Sequence, residues 1–230
     1  MLVLERQLWR TALAWRFRLF QRHRYQRLVL EHLDTSGINV VVLPQVFNPK
    51  LLRTGELFAD YLTHSNLITA TSRVLDIGSG SGVAAIAAAR KGCSVVAVDI
   101  NPAAVRCTRI NALLNDVEAR IDARQSDLFG AIGHTERFDV VLFNPPYYRG
   151  APRDALDHAW RSPDLIERFA AQLGGHLAPQ GAAMLVLSTD GERDAFLDAL
   201  TSAGFSTAMQ ASKNFGNEEI SIYQVTHSAC

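Results

Sequence analysis

A short stretch of alternating glycines, preceded by a carboxylate, is typical of a turn that wraps a nucleotide. Residues 76–82 read DIGSGSG. Glycine permits a tight turn and lets a ligand approach the backbone closely. The dinucleotide fingerprint G-x-G-x-x-G would require glycine at position 83, where this chain has Val83, so a nicotinamide site is not predicted. The candidate cofactor-binding residues of this loop are Asp76, Gly78, Ser79, Gly80 and Gly82.

Two further acidic residues follow apolar runs at regular intervals. Asp99 and Ile100 are the last two residues of the run SVVAVDI (94–100). A carboxylate there could accept hydrogen bonds from both hydroxyls of a ribose. Asp127 could accept from the amino group of an adenine whose faces Leu128 and Phe129 would cover. The alternative is that the glycines merely pack a helix against a strand, that Asp99 is a solvated strand end, and that Asp127 is an N-cap or turn residue.

The run FDVVL leads into a rigid corner, FNPPYY at 143–148. Two consecutive prolines must end a strand, and the residue before a proline is held extended, which aims Asn144 along the strand axis. The corner presents an amide, carbonyl groups and an aromatic face, which could hold something small and polar. Asn144, Pro145 and Tyr147 are the residues of this corner that such a ligand could contact. A plain strand-end turn with exposed prolines is the alternative.

Strand and helix patterns alternate along the chain and place these residues just after strands. Predicted strands cover 38–44, 73–78, 94–100, 121–127, 137–144, 181–189, 206–212 and 218–226. Predicted helices cover 54–62, 83–92, 101–115, 162–177 and 191–204, with Asn101 as an N-cap, Ser162 and Pro163 opening the fourth helix, and Gly204 closing the fifth. Such alternation predicts a parallel α/β sheet covered on both faces, with ligands bound beyond the carboxyl ends of its strands.

The N-terminal segment 1–36 differs in composition from the rest of the chain. Seven arginines and three acidic residues give it a net charge of +4, which leaves −4 for the remainder of a chain that is neutral overall. It lacks proline and glycine up to Leu33, and its apolar residues recur at helical spacing, which predicts one or two amphipathic helices. These would pack on the catalytic domain, 37–230, with some role in recognition; a dedicated grip on RNA phosphates is the alternative.

Taken in order, VLDIGSGSGVAAIAAA, Asp99, SDLF and FNPPYY resemble a class I S-adenosylmethionine-dependent methyltransferase. N-P-P-Y is the specific signature of amino-group N-methyltransferases. VFNP (46–49) and HAWRSPDLIERF (158–169) are similar to the HemK-like protein-glutamine N5-methyltransferases, especially short members related to the eukaryotic release-factor enzyme. The slightly longer stretch between VFNP and Thr54 is nearer the ribosomal-RNA guanine-N2 methyltransferases, which share the small methyltransferase domain.

The resemblance implies a seven-stranded, mostly parallel Rossmann-like sheet, S-adenosyl-L-methionine as cofactor, and N-methylation of a planar amino group. We favour a protein glutamine as substrate. An exocyclic amine of RNA or DNA, a small-molecule amine and a cofactor-binding subunit without turnover are the alternatives. A small activating partner subunit is also implied. In the corner, the Asn144 oxygen and the Pro145 carbonyl would accept the two N–H groups while Tyr147 stacks on the planar group.

The remaining composition favours a reduced, cytoplasmic setting without a membrane partner. Three cysteines are odd in number and lack metal-ligand spacing, as do the seven histidines, so no metal site is expected. No run approaches the roughly 18 apolar residues of a membrane span. The loop after the corner, with Arg149, Arg153, Asp154, Asp157 and His158, is a candidate substrate loop of mixed charge.

Overall fold

The computed structural model describes residues 27–51, 53–150, 161–216 and 218–228. The strands are β1 (Val29–Leu33), β2 (Ile38–Val42), β3 (Arg73–Ile77), β4 (Ser94–Asp99), β5 (Ile121–Gln125), β6 (Phe138–Phe143), β7 (Tyr148–Arg149), β8 (Arg161–Ser162), β9 (Leu177–Ser188), β10 (Phe205–Asn214) and β11 (Glu219–His227). The helices are α1 (Thr54–His64), α2 (Val83–Ala89), α3 (Pro102–Leu114), α4 (Leu165–Leu173) and α5 (Arg193–Ser202), with a 3₁₀ turn at Glu118–Arg120.

A seven-stranded mixed sheet in the order β10-β11-β9-β6-β3-β4-β5 forms the centre of the fold. Strands β9, β6, β3, β4 and β5 pair in parallel, whereas β11 pairs antiparallel with both β9 and β10. This confirms the predicted α/β architecture, and the last two predicted strands pair with each other as an antiparallel hairpin. Because five neighbouring strands run in one direction, their carboxyl ends share one edge, where the predicted site residues follow them.

Both faces of the sheet are buried, which explains why its central strands are continuously apolar. Alternate residues of β3 face opposite sides: Val74 joins a core with α1, α2 and α3, whereas Leu75 and Ile77 join a core with α4 and α5. Every residue of the alanine-rich α2 is buried, since it lies between its neighbours and the sheet. None of the helices in the described ranges combines the length and the apolar character that a membrane span requires.

The predicted N-terminal helical extension needs correction. Residues 1–26 lie outside the described residues, and the remainder of segment 1–36 begins a β-hairpin in which β1 pairs antiparallel with β2. The sequence of β1, VLEHL, places the fully buried Leu33 beside the turn, and Gly37 (φ 63°) takes the left-handed conformation that the turn requires. The hairpin turn crosses the predicted domain boundary at residue 36, which stays a prediction.

The start of the helix after the corner also differs from the prediction. Ser162 belongs to the two-residue strand β8, which pairs in parallel with β7, and α4 begins at Leu165 with Asp164 as its N-cap residue. Pairing with β7 holds Ser162 extended, so it cannot open the helix. Residues 151–160, which include Arg153, Asp154, Asp157 and His158 of the candidate substrate loop, lie outside the described residues.

Candidate active site

A cleft lies at the carboxyl edge of the sheet and brings together most of the predicted site residues. Those that line it are Asp76, Gly78, Ser79, Gly80, Asp99, Ile100, Asp127, Leu128, Asn144, Pro145 and Tyr147. Gly82 does not line the cleft; its left-handed conformation belongs to the turn of the glycine loop. The cleft therefore joins the glycine loop after β3 to the proline corner after β6, two neighbouring strands.

The glycine loop requires glycine because of its backbone conformation and, at Gly82, because of close packing against α3. Gly78, Gly80 and Gly82 have φ values of 67°, 55° and 80°, a region that favours glycine. A Cβ atom on Gly82 would lie 3.0 Å from both Cα and Cγ2 of Thr108. The Thr108 hydroxyl lies 3.1 Å from the Ser79 hydroxyl, so α3 also fixes the side chain inside the loop.

The Asp99 carboxylate is held by backbone N–H groups on both sides. Gly80 N donates to Oδ2 at 2.9 Å, and Asn101 N donates to Oδ1 at 2.8 Å. Each carboxylate oxygen can accept more than one hydrogen bond, so the group is oriented and can still accept from a ligand. This arrangement fits a pair of ribose hydroxyls.

Asp76 lines the cleft and is only 3% exposed. Burial is the largest effect and raises the pKa of its carboxyl to about 8. A hydrogen bond from Ala85 N lowers this pKa, whereas the nearby charge of Asp99 raises it. A buried carboxyl with a high pKa stays neutral unless a positive charge lies close to it. The cleft is thus suited to a ligand that carries a cationic group.

The turn after β5 is more constrained than the sequence indicates. Leu128 has φ 48°, unusual for a non-glycine residue, and the Ser126 hydroxyl holds the turn by donating to Leu128 O and accepting from Ala131 N. Leu128 lines the cleft, but Phe129 does not. Phe129 stacks on Phe169 and His176 in the core, so the expectation that it covers a base is wrong.

The proline corner contains a buried acceptor without a partner. Asn144 Nδ2 donates to the Thr54 hydroxyl at 3.2 Å, whereas Asn144 Oδ1 has no hydrogen-bond partner among the described residues. Leaving a buried polar atom unpaired costs roughly 1–3 kcal/mol, and such atoms in native folds call for an explanation. Asn144 lines the cleft, so a ligand bound there is a candidate donor for this atom.

The sequence interpretation gave no site role to the segment between β2 and α1. Gln45, Val46 and Phe47 line the cleft from this segment, as does Gly55 at the start of α1, and the Asn101 side chain donates to Gln45 O at 2.8 Å. The VFNP motif (46–49) could have identified this segment as part of the site, but it supported only the family resemblance.

The sequence interpretation also missed Asn111, which is fully buried on α3. Its side chain accepts from Val41 N and donates to Val41 O and to Ser81 O.

These residues fit S-adenosylmethionine. The glycine cradle admits close approach of a ligand, the Asp99 carboxylate suits ribose hydroxyls, and the buried Asp76 suits a cationic group. Among the described residues, no cluster of histidine, cysteine and acidic side chains could hold a metal ion.

Comparison with protein families gives a match over most of the chain. The family model of the methyltransferase small domain matches residues 37–215. A protein of Methanocaldococcus jannaschii, provisionally named as a protein N5-glutamine methyltransferase, is 31% identical over 201 residues, 83% of this chain and 96% of that protein. The release factor glutamine methyltransferase of Koribacter versatilis is 35% identical over 123 residues, 47% of this chain and 43% of that protein.

A solved structure shares the fold. The 16S rRNA N2 G1207 methyltransferase of Thermus thermophilus, solved with AdoMet and guanosine, has a TM-score of 0.63 and 21% sequence identity over 88% of this chain and 50% of that one. The architecture described above is therefore that of Rossmann-like methyltransferases.

Proposed function

The chain belongs to the methyltransferase small domain family and is an S-adenosylmethionine-dependent methyltransferase, and we propose that it methylates the side-chain amide nitrogen of a protein glutamine. The observation that carries this proposal is the unpaired, buried Oδ1 of Asn144 at the edge of the cleft. A planar NH₂ group brings two donors in one plane. Asn144 Oδ1 accepts one of them, and the carbonyl of Pro145, the next residue, accepts the other.

These two acceptors supply what an amide nitrogen needs in order to react. Its lone pair is delocalised into the carbonyl, so it is a poor nucleophile, and it gains positive charge as it attacks. Bound S-adenosylmethionine supplies an electrophilic methyl group. Transfer of that group would replace the methyl carbon's bond to sulfur with a bond to nitrogen, and the proton that the nitrogen releases would leave to solvent water. Acceptors fixed in a dry site favour the developing charge, and Tyr147 stacks on the planar group.

We assign the cofactor to the glycine loop and the two acidic turns. Gly78, Ser79 and Gly80 approach it through the backbone, and Gly82 shapes the loop. Asp99 and Ile100 hold the ribose, whereas Asp127 and Leu128 hold the adenine. Asp76 lies near the cationic end, and Asn144 borders the methyl group. The support is that all of these except Gly82 line one continuous cleft.

The relatives favour a protein substrate. The two reported above carry glutamine methyltransferase in their names, and one of them aligns over 96% of its length. An exocyclic amine of RNA is the second candidate, because the matched rRNA methyltransferase was solved with guanosine. Guanine presents a flat NH₂ as glutamine does, so the corner itself does not distinguish between them.

The test is transfer of a labelled methyl group to a whole-cell lysate that is then digested with protease or with ribonuclease. Label lost with protease supports a protein substrate, and label lost with ribonuclease overturns it in favour of RNA. The lysate also supplies the small partner subunit that the resemblance implies. Asn144→Ala should abolish transfer and leave the Kd for S-adenosylhomocysteine within about twofold, because it removes an acceptor of the substrate. Asn66→Ala, at an exposed asparagine outside the cleft, is the matched control.

A further inference from the structure

We infer that Thr54 is a positioning residue for methyl transfer, because its buried hydroxyl accepts a hydrogen bond from the Asn144 amide and holds that side chain beside the cleft. This inference rests on the proposed function of Asn144. The Thr54 side chain is fully buried and does not line the cleft. Its effect on the reaction therefore passes through Asn144.

The contact holds the side chain on which the proposed transfer depends. Asn144 Nδ2 donates to Thr54 Oγ1 at 3.2 Å, and Oδ1 is buried without a partner among the described residues. An asparagine amide can rotate at little steric cost, since its oxygen and nitrogen are nearly the same size. The Thr54 hydroxyl restrains this rotation through the hydrogen bond. Without the hydroxyl, the amide is free to turn its NH₂ towards the NH₂ of the substrate, and two donors cannot form a hydrogen bond.

The chain places Thr54 through the segment that contains VFNP. The Asn48 side chain accepts from Lys50 N and Leu51 N and donates to Glu31 of β1. Gly55 packs so closely on Pro49 that a Cβ atom there would lie 2.6 Å from Pro49 Cβ. These contacts bring the start of α1 against the proline corner, 90 residues further along the chain. The VFNP motif thereby acquires a role as the support of the threonine.

The first experiment compares methyl-transfer rates of two variants with the wild type, using labelled S-adenosylmethionine and lysate protein as the acceptor. Thr54→Val removes the hydroxyl and keeps the buried shape, and we expect the rate at saturating cofactor to fall by about 10- to 100-fold. Thr54→Ser keeps the hydroxyl and should restore the rate to within about threefold. Thr63→Val is the matched control, since the Thr63 hydroxyl of the same helix donates only to Ala59 O.

The second experiment measures the amide itself in the cofactor-free protein. The side-chain NH₂ resonances of Asn144 are identified by their absence from the spectrum of Asn144→Ala. Their hydrogen exchange should be slow in the wild type and in Thr54→Ser, and faster in Thr54→Val, because only the last lacks the acceptor. A folded Thr54→Val protein with unchanged exchange and unchanged rate overturns the inference.

The two experiments separate this inference from the proposed function. If Asn144→Ala retains full transfer, the proposed function fails, whatever Thr54 does. If Asn144→Ala is inactive while Thr54→Val is fully active, only the role of Thr54 is overturned. A parallel loss of thermal stability and rate in both Thr54→Val and Thr63→Val would also overturn it, because the effect would then be structural.

Discussion

Arg168 and Asp127 form an ion pair at the rim of the cleft, with Arg168 Nη2 2.7 Å from Asp127 Oδ2. Arg168 lies on α4 and also contacts Asp164 at 3.5 Å. The pair orients the carboxylate that we propose accepts from an adenine amino group. Two residues that are 41 positions apart in the sequence thus define one proposed cofactor contact.

Arg168→Met should weaken the affinity for S-adenosylhomocysteine by about two- to fivefold. Both side chains are partly exposed, and ion pairs of this kind contribute roughly 0.2–1 kcal/mol. The measurement is Kd by calorimetry at low ionic strength. Arg193→Met is the control, since Arg193 pairs with Asp194 and neither residue lines the cleft. Equal affinities in the two variants would contradict a role for Arg168 in holding Asp127.

Gly82→Ala should destabilise the fold by about 2–4 kcal/mol, because a Cβ atom there combines left-handed backbone strain with overlap on Thr108. Gly204→Ala is the matched control. Gly204 has φ 88°, and no atom lies within 4 Å of the position that a Cβ atom would take there, so the substitution should cost only the strain, about 1–2 kcal/mol.

Both free energies of unfolding are measured by urea titration. The Gly82 variant should also lose affinity for S-adenosylhomocysteine, whereas the Gly204 variant should not. If the two variants lose the same stability, the contact with Thr108 is not what requires glycine at position 82.

Local patterns were sufficient to predict the sheet and most of the cleft. The glycines, Asp99 and the proline corner each follow an apolar strand, and parallel pairing alone brings such positions to one edge. Thr54 and Arg168 could not be predicted in this way. Each acts on a residue far along the chain, and only the packing of α1 and α4 brings them within reach.

Two errors have a common physical cause. The segment 29–33 has apolar spacing compatible with a helix, and Phe129 follows a predicted ligand-binding turn. Pairing with β2 decides the first case, and stacking on Phe169 and His176 decides the second. Tertiary contacts overrode the local pattern both times.

The raised pKa of Asp76 makes the stability of the cofactor-free protein depend on pH. Its carboxyl has a pKa of about 8 in the folded protein and an ordinary value of 3.8, and burial is the main cause. Between these values the folded protein keeps a proton that the unfolded chain releases. Stability is therefore highest at the acidic end of this window, falls as the pH rises towards 8, and no longer changes from this group above that pH.

Asp76→Asn should remove this component, because the amide is neutral at every pH and can still accept from Ala85 N. We expect the free energy of unfolding of the wild type, relative to the variant, to fall steadily between about pH 5 and pH 8, with a slope approaching one proton per molecule. Urea titrations at four pH values in this range measure it, with Asp198→Asn, at an exposed position on α5, as the control. Parallel curves for the wild type and Asp76→Asn would contradict a neutral Asp76 in the folded protein. If the cleft receives a cationic group beside this carboxyl, saturating S-adenosylmethionine should flatten the wild-type curve, because the bound charge favours the ionised carboxylate.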